Sequence, residues 1–298
     1  MNVSSPVPKE AVLIVNTRSR RGQKLFRRAV AKLEAAGIRL IAKHSIRRPD
    51  RDLIRTMREA VRSGAPMVIV GGGDGSLSCT VDEVVDRDCV FALLPLGTAN
   101  SFARTLGIPV DLDGAVETIA TGKRRRIDVG AIDGDYFANA SSIGLSPMIG
   151  QTIPHKLKRY LGRPGYLLWS LWCLARFHSF RLTVEGPHGS ETLRALEVRI
   201  ANGSFHGGIE VVEDASVDSG DIVVEAVSGR ARTTLAMNWL RLLLGLSKKE
   251  REVRQFRGRS LRLITEPPLP ISIDGEVLAR TPVTASVAER AIEVVVPA

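Results

Sequence analysis

Pro66-Met67-Val68-Ile69-Val70-Gly71-Gly72-Gly73-Asp74-Gly75-Ser76 is the stretch on which the reading of this chain turns. Its first part, Pro66 to Val70, is apolar throughout and reads as a buried strand. Its second part is a turn of glycines with one carboxylate and one hydroxyl. Glycines let backbone N–H groups approach an anion with no side chain in the way. Asp74 is the odd member, because it would repel a phosphate. It makes chemical sense if it works through Mg²⁺ or on a hydroxyl proton. Taken alone, the same residues also suit a plain tight turn between strand and helix.

A second loop of the same kind follows. Phe91-Ala92-Leu93-Leu94-Pro95 is strand-like and ends in Leu96-Gly97-Thr98-Ala99-Asn100-Ser101-Phe102-Ala103-Arg104. Two strand-to-loop switches place both loops at the carboxyl ends of neighbouring strands, the edge where open α/β sheets bind ligands. Outward from there, strand and helix alternate. Strands are predicted over 11–16, 38–41, 66–70 and 90–94. Helices are predicted over 22–36, 50–63, Val81 to Val85 and Leu112 to Thr121. This pattern argues for a parallel sheet covered by helices.

The character changes at Lys123-Arg124-Arg125-Arg126. Short strand-like runs dominate beyond it: 127–132, 136–140, 180–184, 193–201, 222–226, 261–265, 270–273 and 291–296. They suggest a sandwich of antiparallel sheets. The expected fold is therefore α/β plus all-β: a Rossmann-like lobe over residues 1–128 and a β-sandwich lobe over 129–298. Two apolar helices interrupt the second lobe, Leu157 to Phe177 with Trp169 and Trp172, and Thr234 to Leu246 with Trp239. Both are flanked by Lys and Arg, a combination suited to an anionic lipid interface. A core helix with solvated ends is the plainer alternative.

Composition narrows the class. The 298 residues allow two lobes with a core each, and the formal net charge of +10 suggests a polyanionic partner. No nucleic-acid module is recognisable and aromatic residues are scarce, which argues against a nucleic-acid binder. Cys79, Cys89 and Cys173 show neither metal spacing nor a disulfide framework. The five histidines show no zinc pairing, and His206 reads as a plain turn histidine. The first residues lack a signal-peptide core, and no run of about 18 apolar residues exists to span a membrane. The expected location is cytoplasmic.

Gly-Gly-Asp-Gly-Ser followed by Pro-Leu-Gly-Thr-Ala-Asn-Ser-Phe-Ala-Arg resembles the diacylglycerol kinase catalytic-domain family, which includes soluble bacterial diacylglycerol kinases and sphingosine and ceramide kinases. The resemblance extends to Val12–Gly22 near the start and to Ile271-Ser272-Ile273-Asp274-Gly275-Glu276 near the end. It implies an ATP-dependent lipid kinase with Mg²⁺, two lobes with the active site in the cleft between them, and a last strand folding back near the first lobe. It also implies peripheral contact with the inner face of a membrane that holds the lipid substrate. A homodimer is allowed. An NAD kinase is the competing enzyme reading, and a degenerate member that binds nucleotide or lipid is another.

The resemblance distributes the site residues. Asn16, Thr17, Arg18, Ser19, Arg20, Ser45, Gly71, Gly72, Gly73, Asp74, Gly75, Ser76 and Thr98 are the nucleotide-binding candidates, and Arg104 fits a loop brace. For the acceptor's proton the candidates are Glu276 and Asp274, with Asp74 competing. The loop Ser216-Val217-Asp218-Ser219-Gly220-Asp221 resembles the family's structural Mg²⁺ loop, with Ser216, Asp218, Ser219 and Asp221 as candidate ligands. Ser219 stands there where an aspartate is usual. Ser101 likewise replaces an aspartate common after the asparagine.

Overall fold

A computed structural model describes residues 6–18, 20–187, 189–228, 253–273 and 276–298. Strands β1 (Glu10–Asn16), β2 (Arg39–Ile46), β3 (Met67–Gly72) and β4 (Val90–Pro95) run parallel in the spatial order β2-β1-β3-β4. Every residue of β3 and β4 is buried, which is why both read as unbroken apolar runs: helices cover the sheet on both faces. Fully burying one such Val, Leu, Ile or Phe contributes about 1.5–3 kcal/mol. Strand β2 is the edge. Its side chains, Arg39 and Lys43 among them, stay partly in water and blunt that edge.

The helices of this lobe are α1 (Arg20–Ala35), α2 (Pro49–Arg62), α3 (Asp74–Ser78), α4 (Ser101–Thr105) and α5 (Leu112–Thr121). Helix α2 starts on Pro49 with Asp50 and Asp52 in its first turn and carries Arg62 in its last, charges that suit the helix dipole. Helix α5 is capped by Asp111, whose carboxylate accepts from the backbone N–H of Asp113 and of Gly114.

The second lobe holds β5 (Lys123–Ile132), β6 (Asp135–Phe137), β7 (Ala140–Gly144), α6 (Leu145–Thr152), α7 (His155–Arg176), β8 (Phe180–Gly186), β9 (Gly189–Ala201), β10 (Phe205–His206) and β11 (Ile209–Glu210). It continues through β12 (Ile222–Ser228), β13 (Val253–Gly258), β14 (Ser260–Glu266), β15 (Pro270–Ile273), β16 (Glu276–Arg280) and β17 (Val283–Val296). Its pairings are antiparallel, and its own core includes Phe137, Ile143, Leu196, Val224 and Leu263.

Strand β17 joins the lobes. Its first half pairs with β14, and its end runs parallel to β4 at Glu293 and Val294. Strand β5 accompanies it along both halves, with a register break between Ala288 and Ile292. Arg290 in that break has φ 51. The buried carboxylate of Asp128 accepts from Arg290 N and from Gly220 N, both at 2.8 Å, and so ties the break to the 216–221 loop. Fifteen of the strands thereby form one hydrogen-bonded sheet, with the β10–β11 hairpin apart.

The architecture is the predicted one, an α/β lobe with a parallel sheet followed by a β-rich lobe. Three local expectations change. The helix over Val81–Val85 is a short 3₁₀ turn, Val81–Glu83, after α3. The Thr80 hydroxyl donates back to Leu77 O at 2.7 Å, and the chain reverses at Asp86 with φ 53, so no longer helix forms. The run 136–140 is two strands, because Asn139 leaves the ladder between them. Strands β10, β11, β13 and β16 and helices α3, α4 and α6 were not anticipated. The predicted helix Thr234–Leu246, with Trp239, lies outside the described residues.

Candidate functional site

Parallel strands in register bring their carboxyl ends to one edge. Asn16 ends β1, Ser45 pairs with Val15, Gly71 pairs with both Val15 and Leu94, and Gly72 pairs with Pro95. Four segments far apart in sequence thus converge. Asn16 Nδ2 donates to Ser76 Oγ at 2.9 Å, and Asn16 Oδ1 accepts from Arg18 N at 3.2 Å. The Thr17 and Ser45 hydroxyls share a hydrogen bond of 2.8 Å. Thr98 is exposed at the tip of the second loop. Arg18 instead makes an exposed ion pair with Asp50 at 3.5 Å, a pairing of little energetic consequence. Ser19 lies outside the described residues, and Arg20 opens α1.

The glycines have a packing reason as well as an anion-binding one. A Cβ on Gly97 would lie 2.5 Å from Gly73 Cα, so the two loops touch backbone to backbone. A Cβ on Gly72 would lie 2.5 Å from Ser76 Cβ. The second loop is folded around Asn100, which is buried with φ 51 and accepts from Gly97 N at 2.9 Å. Arg104 Nε donates to Ala99 O at 3.0 Å and braces the same loop.

Asp74 faces the other lobe. One carboxylate oxygen accepts from Phe102 N at 3.2 Å, which fixes the side chain's direction. A cavity of about 200 Å³ lies there, lined by Asp74, Ser78, Ser101 and Phe102 from the first lobe and by Ala138, Asn139, His206 and Gly207 from the second. His206 is therefore a wall of the cavity, not only a turn residue.

Asn139 is the residue that sequence reasoning missed. Its amide donates to Phe205 O, its Oδ1 accepts from Thr105 Oγ1 at 2.8 Å, and its backbone carbonyl accepts from Asn202 and Gly203. It holds the hairpin to the first lobe. Nothing at its position in the sequence marks it, because all its partners are distant.

Glu276 begins β16 and pairs with Ile273 of β15, which pairs with Ser141 of β7. Residues just before β7, Ala138 and Asn139, line the cavity, so the ladder leads from Glu276 toward it. Asp274 lies outside the described residues.

The 216–221 loop is elsewhere. Asp218, Ser219 and Asp221 line an open pocket of about 380 Å³ together with Arg126, Asp128, Arg259, Glu289 and Arg290. The Asp218 carboxylate makes a close ion pair with Arg125. Ser216 contributes its carbonyl to Ser219 Oγ at 2.9 Å. Among the described residues no three His, Cys, Asp or Glu side chains gather as a metal site would require.

Residues 10–132 match the model of the diacylglycerol kinase catalytic domain, and residues 139–296 match that of the YegS C-terminal NAD kinase beta sandwich-like domain. A Pseudomonas aeruginosa protein described as "Probable lipid kinase YegS-like" is 31% identical over 296 residues, 97% of this chain and 95% of that one. A Staphylococcus aureus diacylglycerol kinase is 27% identical over 296 residues, 97% of this chain and 93% of its own. The fold also superposes on a crystal structure of a diacylglycerol kinase from Bacillus anthracis, with TM-score 0.79, 23% identity and 97% of both chains covered. The chain belongs to the diacylglycerol kinase catalytic-domain family and is an enzyme of the lipid-kinase class.

Proposed function

We propose that the chain transfers the γ-phosphate of Mg·ATP to the hydroxyl of a membrane lipid, a diacylglycerol, ceramide or sphingoid-like alcohol, in the cleft between the lobes. The observation that carries this reading is Asp74. It sits at the carboxyl edge of the parallel sheet, fixed by Phe102 N–H, in a cavity whose far wall is the other lobe. Phosphoryl transfer needs phosphates held in place and a group to handle the acceptor's proton. The hydroxyls and amide of Asn16, Thr17, Ser45, Ser76 and Thr98, with the backbone of Gly71 to Gly75, supply donors for the phosphates. Arg18 and Arg20 stand at the end of the same edge.

The residues fit Mg²⁺ in one respect: this ion takes one or two carboxylates and fills its shell with phosphate oxygens and water, and Asp74 is such a carboxylate. Bound there, it would offset charge on the phosphates. Asp74 orients the acceptor hydroxyl, and Glu276 takes its proton. The 216–221 loop has a structural role at the strand break in β17, with Asp218 held by Arg125 and Gly220 held by Asp128.

No helix among the described residues is long and apolar enough to cross a membrane. We place the enzyme in the cytoplasm, working peripherally at the inner face of the membrane. The test is transfer of labelled γ-phosphate in mixed micelles to diacylglycerol, ceramide, sphingosine, monoacylglycerol and phosphatidylglycerol, with NAD as a soluble control. A labelled lipid names the substrate class; label on NAD alone would overturn the reading. Glu276→Gln should then lower turnover more than nucleotide affinity, and an unchanged rate would remove it as the base.

A further inference from the structure

Among the described residues, helix α7 has one side built into the protein and one side left bare. On the inner side, Cys173 and Phe177 are buried in the second core, and Trp169 and Leu174 pack against it. Trp169 Nε1 also donates to Thr152 Oγ1 of α6 at 3.1 Å, and the Thr152 hydroxyl meets Cys173 Sγ at 3.6 Å. On the outer side, Leu168 is 60% exposed, Leu171 54% and Trp172 40%. Spacings of three and four residues place these on one helix face. They are half of the six large exposed hydrophobic side chains among the described residues; Ile41, Ile54 and Val110 are scattered over the first lobe. Scattered apolar residues need no explanation, but a contiguous patch does.

The bare face is held rigid. The Trp169 and Trp172 rings stack with centroids 4.4 Å apart, and the Arg176 guanidinium lies 4.1 Å from the Trp172 ring centre. Its surroundings in the sequence are wholly cationic. From Tyr136 to Val184 there is no Asp or Glu, while Lys156, Lys158, Arg159, Arg163, Arg176 and Arg181 all fall within it.

We propose that the Leu168–Leu171–Trp172–Arg176 face of α7 is the docking surface for an anionic lipid bilayer. Apolar side chains enter the acyl boundary, Trp sits at the headgroup level, and each cation near an anionic surface adds to the attraction. Charge disfavours a second copy as the occupant: a two-fold contact would set the same Arg176-bearing face against itself. The position suits the chemistry. Helix α7 rests on α6, and α6 packs against β15 and β16, the strand that Glu276 begins. The proposal rests on the reading of the acceptor as a membrane lipid, and its test is independent of turnover.

The experiment is co-sedimentation of the full chain with phosphatidylcholine vesicles, with and without phosphatidylglycerol, for wild type and for Leu168→Ser with Leu171→Ser. Near-UV circular dichroism and sedimentation velocity would accompany it. Wild type should bind the anionic vesicles, release them as salt rises, and bind neutral ones weakly. The double variant should keep its fold and mass and bind anionic vesicles at least about tenfold more weakly, the loss expected for removing two partly buried leucines. Undiminished binding by the variant would overturn the proposal. So would a wild-type dimer that the variant dissociates, since the face would then join two copies. Vesicle binding lost with these leucines while no lipid is phosphorylated would keep the docking face and sink the kinase reading instead.

Discussion

The Ser101 hydroxyl of the first lobe accepts a hydrogen bond from the backbone N–H of Gly208 in the second, at 2.9 Å. The bond bridges the two lobes at the wall of the cavity that Asp74 lines. Gly208 lies in a hairpin tip with φ 83, and a Cβ there would come within 3.1 Å of Ala99 O, so the tip is seated directly on the loop that precedes Ser101. Ser101 looks like a departure from the family pattern, yet in this chain it has a defined partner.

Ser101→Ala should remove that partner and leave a partly buried N–H unpaired, at a cost of about 1 kcal/mol. Urea unfolding should show a lower midpoint with an unchanged slope. An unchanged midpoint would mean that the hairpin is held by Asn139 alone.

Gly97→Ala should be far more disruptive than Gly75→Ala. The first puts a methyl against Gly73 backbone, which cannot yield as a flexible side chain would, and overpacking of this kind costs about 1–3 kcal/mol. Both loops would shift, so nucleotide affinity should fall along with thermal stability. Nothing lies within 4 Å of a Cβ on Gly75, which sits in α3, so Ala there should leave stability equal or slightly raised. Equal destabilisation by both substitutions would contradict the backbone contact.

Glu225 gives a pH signature. Burial pushes its carboxyl from the ordinary 4.5 up to about 7; Arg199, 3.9 Å away, opposes this, and Asp214 and Glu213 add to it. The folded state therefore holds this proton more tightly than the unfolded chain. The contribution is fully present below about pH 4.5 and is lost as pH rises through 7, a change of about 3 kcal/mol. Glu225→Gln should raise the melting temperature at pH 8 and leave it nearly unchanged at pH 4.5. A variant that melts lower at pH 8 would show that the pairing with Arg199 outweighs burial.

What was legible in the sequence was local. Strands β3 and β4 announce themselves because a strand buried on both faces must be apolar throughout, and Asp74 stands out because it follows one directly. The alternation of strand and helix fixed the parallel lobe. What was not legible was made by distant partners. Asn139 meets Thr105 and Phe205, and Ser101 meets Gly208, with no periodicity to signal either. Strand β13, Val-Arg-Gln-Phe-Arg-Gly, pairs with β12 and keeps most of its side chains in water, so its apolar signal was too thin to read. The valines at 81, 84 and 85 gave a helical spacing that the turn at Asp86 overrides.

In the proposed mechanism Asp74 orients the acceptor hydroxyl in the inter-lobe cleft. The most direct test is the initial rate of labelled γ-phosphate incorporation into lipid by wild type and by Asp74→Asn. Asparagine keeps the size and an oxygen for Phe102 N–H but carries no charge, so the fold and melting temperature should hold. The rate should fall about 100-fold, the order of loss expected when the attacking hydroxyl is no longer held in line. A folded Asp74→Asn variant within about twofold of the wild-type rate would remove Asp74 from the mechanism, because a hydroxyl that has lost its orienting group cannot react nearly as fast.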